Sequence, residues 1–110
     1  MGKYLNDSTI KPNTWYKTDK GEEMLYLGRA KQNCGYWNYP ECHIYLKRSV
    51  LNKYYNTNLN TISVAKILED MEELGVRHYC FSQKPRKFVE EMEIHPDMPL
   101  FGIVGSFEFV

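Results

Sequence analysis

The sequence predicts an α+β domain: a strongly bent antiparallel sheet of five or six strands, either open or partly closed into a small barrel, with one main helix over residues 61–74. Three observations predict it. The runs Trp15-Tyr16-Lys17 and Leu25-Tyr26-Leu27-Gly28 flank a polar link containing Gly21, the pattern of a β-hairpin whose turn needs positive φ. Several later short runs alternate apolar and polar residues at period two. One stretch, Val64, Ile67, Leu68, Met71 and Leu74, instead repeats at helical spacing.

Residues 1–13 are polar and carry Pro12, so they read as an extended lead-in crossing the surface. Thr14 to Asp19 and Glu23 to Ala30 form the hairpin. Alternation sets Met24, Tyr26 and Gly28 on one face of the second strand and Leu25, Leu27 and Arg29 on the other. Bulk on both faces predicts a central strand. Residues 31–41 read as a loop from their Asn, Gly and Pro content. Cys42 to Arg48 resumes as a half-buried strand, with Cys42, Ile44 and Leu46 opposite His43, Tyr45 and Lys47. Val50 to Leu59 is irregular or a single helical turn.

The helix from Thr61 to Leu74 takes its cap from Asn60 or Thr61, and Gly75 suits the left-handed position after its end. Arg77 to Ser82 reads as a strand, and Phe88 to Ile94 as a strand or short helix. A proline-punctuated loop, His95 to Pro99, precedes Leu100 to Val110, where Phe101, Ile103, Gly105, Phe107 and Phe109 follow period two. An end so apolar is expected to be tied into the sheet. Were the sheet to close, the arrangement would be an SH3-like small barrel with the helix across one end.

A chain of 110 residues, 43% hydrophobic and 25% charged, fits a single soluble domain spanning 1–110. Fourteen basic and fourteen acidic side chains leave no net field for polyanions, although a local patch stays open. No apolar run has the length of a signal peptide core or a membrane span, so a cytoplasmic protein without membrane contact is expected. Three cysteines, an odd number, read as thiols in a reducing compartment. Nine tyrosines suit half-wet sheets and binding surfaces alike.

The residues that carry chemistry are few. Cys34, Cys42, His43, His78 and Cys80 are soft metal ligands, yet only His78 and Cys80 share a strand face, and no paired ligand spacing is present. No sharp turn or helix N-terminus activates Cys80, Glu90 and Glu91 point to opposite faces, and no glycine loop fits a phosphate. Neither metal, cofactor nor catalytic residue is expected, and the protein reads as non-enzymatic.

Three surfaces stand out instead. The loop Gly35 to Pro40 presents Tyr36, Trp37 and Tyr39, with Arg29 and Lys31 approaching from the adjoining strand. It reads as a partner-docking surface, or as a plug in which Trp37 folds back to close the end of a small barrel. Lys84-Pro85-Arg86-Lys87 is the dense basic segment, suited to a phosphate backbone or to a solvated connection. Glu69, Asp70, Glu72 and Glu73 crowd the C-terminal end of the helix, as an acidic docking face or a solvated surface.

At Trp15-Tyr16-Lys17 through Gly21 to Leu25-Tyr26-Leu27-Gly28, and again at Lys84-Pro85-Arg86-Lys87-Phe88-Val89, the chain resembles small accessory proteins of large tailed bacteriophages. The resemblance covers about a quarter of the chain, leaves 31–59 unmatched, and carries over no catalytic or binding residue. It implies a small barrel-like β domain with a host-directed role, acting by binding a host factor or defence component. The expectation is a non-catalytic binding protein that engages, and as an inhibitor would block, a host protein through Tyr36, Trp37, Tyr39, Arg29 and Lys31. The alternative is a nucleic-acid-binding β module that stacks bases on the aromatic loop and sets Lys84, Arg86 and Lys87 on phosphates.

Overall fold

In the computed structural model, which describes residues 4–34, 37–38, 41–75 and 79–110, the expected hairpin is present as β1 (Thr14–Lys17) and β2 (Glu23–Cys34). Its loop closes through Gly21, whose N–H donates to Thr18 O at 3.0 Å while Thr18 N–H donates to Glu22 O at 2.8 Å. Gly21 has φ 87°, the left-handed residue that ends a three-residue hairpin loop.

β2 is the spine of the sheet. β4 (Cys42–Lys47) pairs along one edge of it, while β1 and then β8 (Phe107–Phe109) share the other. β5 (Tyr79–Ser82) extends the sheet beyond β4, β6 (Glu90–Ile94) beyond β1, and β7 (Gly102–Val104) beyond β8. β3 (Trp37–Asn38) pairs with the far end of β2. Every pairing is antiparallel. Among the described residues the edges β5 and β6 do not pair with each other, so the sheet is bent and open, not a closed barrel.

The bend has a local cause. Between Tyr26 and Gly28 the register of β2 on β4 slips by one residue, and Gly28 takes φ 111°, which a side chain rarely allows. The slip inverts the alternation. Leu25 and Leu27 face the main core, but so does Ala30, and Arg29 turns outward with Tyr26 and His43, contrary to strict period two.

Both faces of the first half of the sheet are covered. On one, α2 (Val64–Glu73) lays Val64, Ile67, Leu68 and Met71 over Trp15, Leu25, Ile44, Leu46 and Phe107; α1 (Arg48–Leu51) adds Leu51. Each fully buried aliphatic side chain contributes about 2 kcal/mol before entropy is counted. Trp15 is fully buried; its Nε1–H donates to Asn60 Oδ1 at 2.9 Å, and the Arg48 guanidinium lies 3.9 Å over its ring. On the other face Tyr16, Met24, Tyr26, Tyr45 and Phe88 form a second core under Leu5 and Ile10 of the lead-in.

Several expected boundaries shift. Residues 31–34 and 37–38 are strand, because the alternation of β2 continues into a polar stretch that composition marks as loop. Leu59–Thr61 is a 3-10 turn, and α2 begins at Val64 with Ser63 as its cap, its Oγ accepting from Lys66 N–H at 3.1 Å. Asp97 supplies a second cap from across the fold, its Oδ2 accepting from Val64 N–H at 2.6 Å. Gly75, at φ 70°, ends the helix as expected. Leu100 to Val110 is not one strand but a hairpin, turned at Gly105 with φ 59°.

Candidate functional site

Among the described residues, the second face of the sheet past Gly28 carries exposed side chains. There β2, β8 and β7 lie side by side, with Lys31 opposite Glu108 and Glu108 opposite Ile103. Val110 continues β8 along β2, donating its N–H to Arg29 O at 3.1 Å. Because side chains directly across a pair share a face, Lys31, Glu108 and Ile103 stand in one row, and Arg29 and Val110 extend it by one step. The turn at Gly105 is what puts Ile103 here: it places Phe107 and Phe109 toward the core and Ile103 away from it.

The result is an exposed apolar surface. Ile103 is 75% exposed, Phe101 77% and Val110 55%. A cleft of about 220 Å³ borders it where β2 passes from β1 to β8, between Pro12, Gly28, Arg29, Phe101 and Val110. Arg29 and Lys31 are exposed at its rim, with Arg29 Nε 2.5 Å from Glu41 Oε1. A surface pair of this kind contributes about 0–1 kcal/mol, so a partner carboxylate can replace it.

Of the residues expected to bind a partner, Arg29 and Lys31 are therefore brought together on one open face. Tyr36 and Tyr39 lie outside the described residues, and so does the Trp37 side chain; the Trp37 backbone pairs with Cys34 in β3. The sequence reading did not single out Phe101, Ile103 and Val110 for binding. The signal available was Gly105 after Val104, a turn residue inside an apolar run.

Beside this surface, Tyr26 Oη and His43 Nδ1 are 2.8 Å apart. Burial, then the Arg29 charge, lowers the His43 pKa, and burial pushes the Tyr26 hydroxyl up to about 12. Tyr26 and a neutral imidazole thus share one hydrogen bond, whose direction follows the ring's tautomer. The pair is a structural clamp at neutral pH.

The basic segment is a strap over the second core. Arg86 N–H donates to the Tyr45 hydroxyl at 2.9 Å, and Lys87 Nζ lies 3.6 Å from Asp7 Oδ2. Phe88 stacks on Tyr16 with ring centroids 5.0 Å apart. Lys84, Arg86 and Lys87 are exposed, but Asp19 and Glu22 share the shallow cleft beside Arg86 and Lys87, so its field is of mixed sign.

Among the described residues no three His, Cys, Asp or Glu side chains are grouped to hold a metal ion, and no helix is long and apolar enough to cross a membrane. Cys42 is buried and Cys80 half-buried, whereas His78 and the Cys34 side chain lie outside the described residues. Compared with protein-family models, curated proteins and solved structures, the chain matches none.

Proposed function

We propose that this protein acts by docking on another protein, without chemistry of its own, through the open face of Phe101, Ile103 and Val110 with Arg29 and Lys31 at its rim. The observation that carries this reading is the exposure of Ile103 and Val110 beside Arg29 and Lys31 on one face of three adjacent strands, with exposed Phe101 at the cleft that borders Arg29 and Val110. Contiguous apolar surface rimmed by charge marks interaction sites, and aromatic and Arg side chains dominate their energetics. The resemblance to bacteriophage accessory proteins supports a bacterial host or defence protein as the partner, with inhibition as the consequence. The nucleic-acid alternative has less support, since Arg86 and Lys87 are tied into the fold beside acidic neighbours.

The test is capture from bacterial lysate with nuclease, using the tagged protein and its Phe101→Ser/Ile103→Ser variant. A stoichiometric protein should be retained by the wild type and reduced at least tenfold by the variant, about 1.4 kcal/mol. The variant's Tm should stay within a few degrees, because exposed substitutions cost about 0.5 kcal/mol or less. Equal capture by both proteins, or retention of nucleic acid alone, would overturn the reading.

A further inference from the structure

A second cleft lies on the opposite side of the C-terminal hairpin, between the last turns of α2 and the β7–β8 turn. Its volume is about 240 Å³; Leu68, Met71, Tyr79, Val104 and Phe107 give it an apolar part, beside the polar Glu72 and Ser106. Two glycines hold it open: Gly75 at the end of the helix and Gly105 in the turn, both with positive φ. Glu72 supplies its charge. A Cβ built on Gly105 would stand 2.5 Å from Glu72 Oε2, so the carboxylate rests against the bare backbone of the turn at the cleft mouth.

Among the described residues, the charges at the cleft have one sign. Glu69 and Glu73 flank Glu72 on the exposed face of α2, and the C-terminal end of a helix adds partial negative charge. Asp70 is set apart from them, neutralised by Lys66 Nζ at 3.1 Å and accepting from the Tyr55 hydroxyl at 2.7 Å. Among the described residues no Lys, Arg or His lines the cleft. Carboxylates alone would mark only a solvated helix end. Set over an apolar hollow, they select an occupant with an apolar stem and a positive head.

We infer that this cleft receives one arginine or lysine side chain of a protein partner, its methylene stem against Met71, Val104 and Phe107 and its charged head on Glu72. A cleft of about 240 Å³ has room for one long side chain. Long basic side chains bury their stems on apolar surface while keeping the charge at a polar rim. The inference rests on the protein-docking reading only in taking the occupant from a protein.

The test is an amide-resolved NMR titration of the intact protein with the blocked peptide acetyl-Leu-Arg-Leu-amide, its citrulline analogue, and phenethylammonium. The arginine peptide should shift the Met71, Gly75, Val104 and Gly105 amides. It should bind about tenfold more tightly than the citrulline peptide, and more tightly than phenethylammonium. Glu72→Gln should remove most of that preference, about tenfold, the scale of one lost charged contact. Equal binding of the citrulline peptide, shifts confined to other surfaces, or no effect of Glu72→Gln would overturn the inference; phenethylammonium binding as tightly as the peptide would reassign the cleft to free amines. Failure here with capture still dependent on Phe101 and Ile103 would remove this inference alone.

Discussion

The Tyr26 hydroxyl stands 2.8 Å from Nδ1 of His43, and the contact spans the pairing of β2 with β4 beside the bulge at Gly28. A neutral imidazole can accept or donate there according to its tautomer, whereas a protonated ring can only donate. Burial is the main cause that lowers its pKa from 6.5, with the neighbouring Arg29 charge second.

That depression makes stability depend on pH with a defined sign. A His whose folded pKa is lowered contributes stability that is complete above the unfolded value of 6.5 and is lost as pH falls toward the folded one. The Tm of the wild type should therefore fall below pH 6.5 more steeply than that of His43→Gln. Parallel Tm curves for the two proteins would show that His43 is not responsible.

The alkaline limb has the opposite sign. Burial, followed by the hydrogen bond to Asp70, raises the Tyr55 hydroxyl from 10.0 to about 12. Its stability contribution is complete below pH 10 and declines as pH rises toward about 12. Tyr55→Phe should lower stability at pH 7, where one hydrogen bond is lost at about 1 kcal/mol, and flatten its decline above pH 10. Urea unfolding at pH 7 and pH 11 measures both.

Asn13 joins β1 to the loop after β6. Buried at φ 55°, it donates from Nδ2 to the carbonyls of Asp97 and Met98, each at 2.8 Å, while Asn13 O accepts from His95 N–H at 2.7 Å. Asn13→Ala should cost about 2–4 kcal/mol: two hydrogen bonds at about 1 each, plus left-handed strain of about 1. Asn13→Gly keeps the φ and should cost about 1 kcal/mol less. Equal losses by denaturant unfolding would mean that strain plays no part.

Gly28 should tolerate no side chain, though not for lack of space. A Cβ there would meet only Pro12 Cβ at 3.6 Å, an ordinary contact, so the penalty of Gly28→Ala is conformational, about 1–3 kcal/mol. The bulge also turns Arg29 outward, so the variant should weaken partner capture more than an equally destabilising core change such as Ile67→Val. Equal effects on capture would separate the bulge from the binding face.

The tyrosines show why composition stops short of function. Three of the nine are buried in the second core as clamps: the Tyr16 hydroxyl accepts from Lys11 N–H at 2.8 Å, Tyr45 from Arg86 N–H at 2.9 Å, and Tyr26 meets His43. A count cannot distinguish these from docking residues. Likewise Arg29 and Lys31 were legible as a basic pair near the end of a strand. Their apolar neighbours, some 70 residues away along the chain, were not.

By itself the sequence determined the α+β class, the first hairpin, the amphipathic helix and its end at Gly75, and the division of β4 into two faces. These rest on local periodicity and on backbone preferences within a few residues, which any chain of this order carries wherever it folds. Only the tertiary structure decided that Gly28 inverts the alternation of β2, that the last apolar run doubles back at Gly105, and that His95, Asp97 and Asn13 tie loop, helix and strand together. Those outcomes depend on pairings between distant segments, where burial and hydrogen bonding override local pattern, and the open face of Arg29, Lys31, Ile103 and Val110 exists only once β8 has docked between β2 and β7.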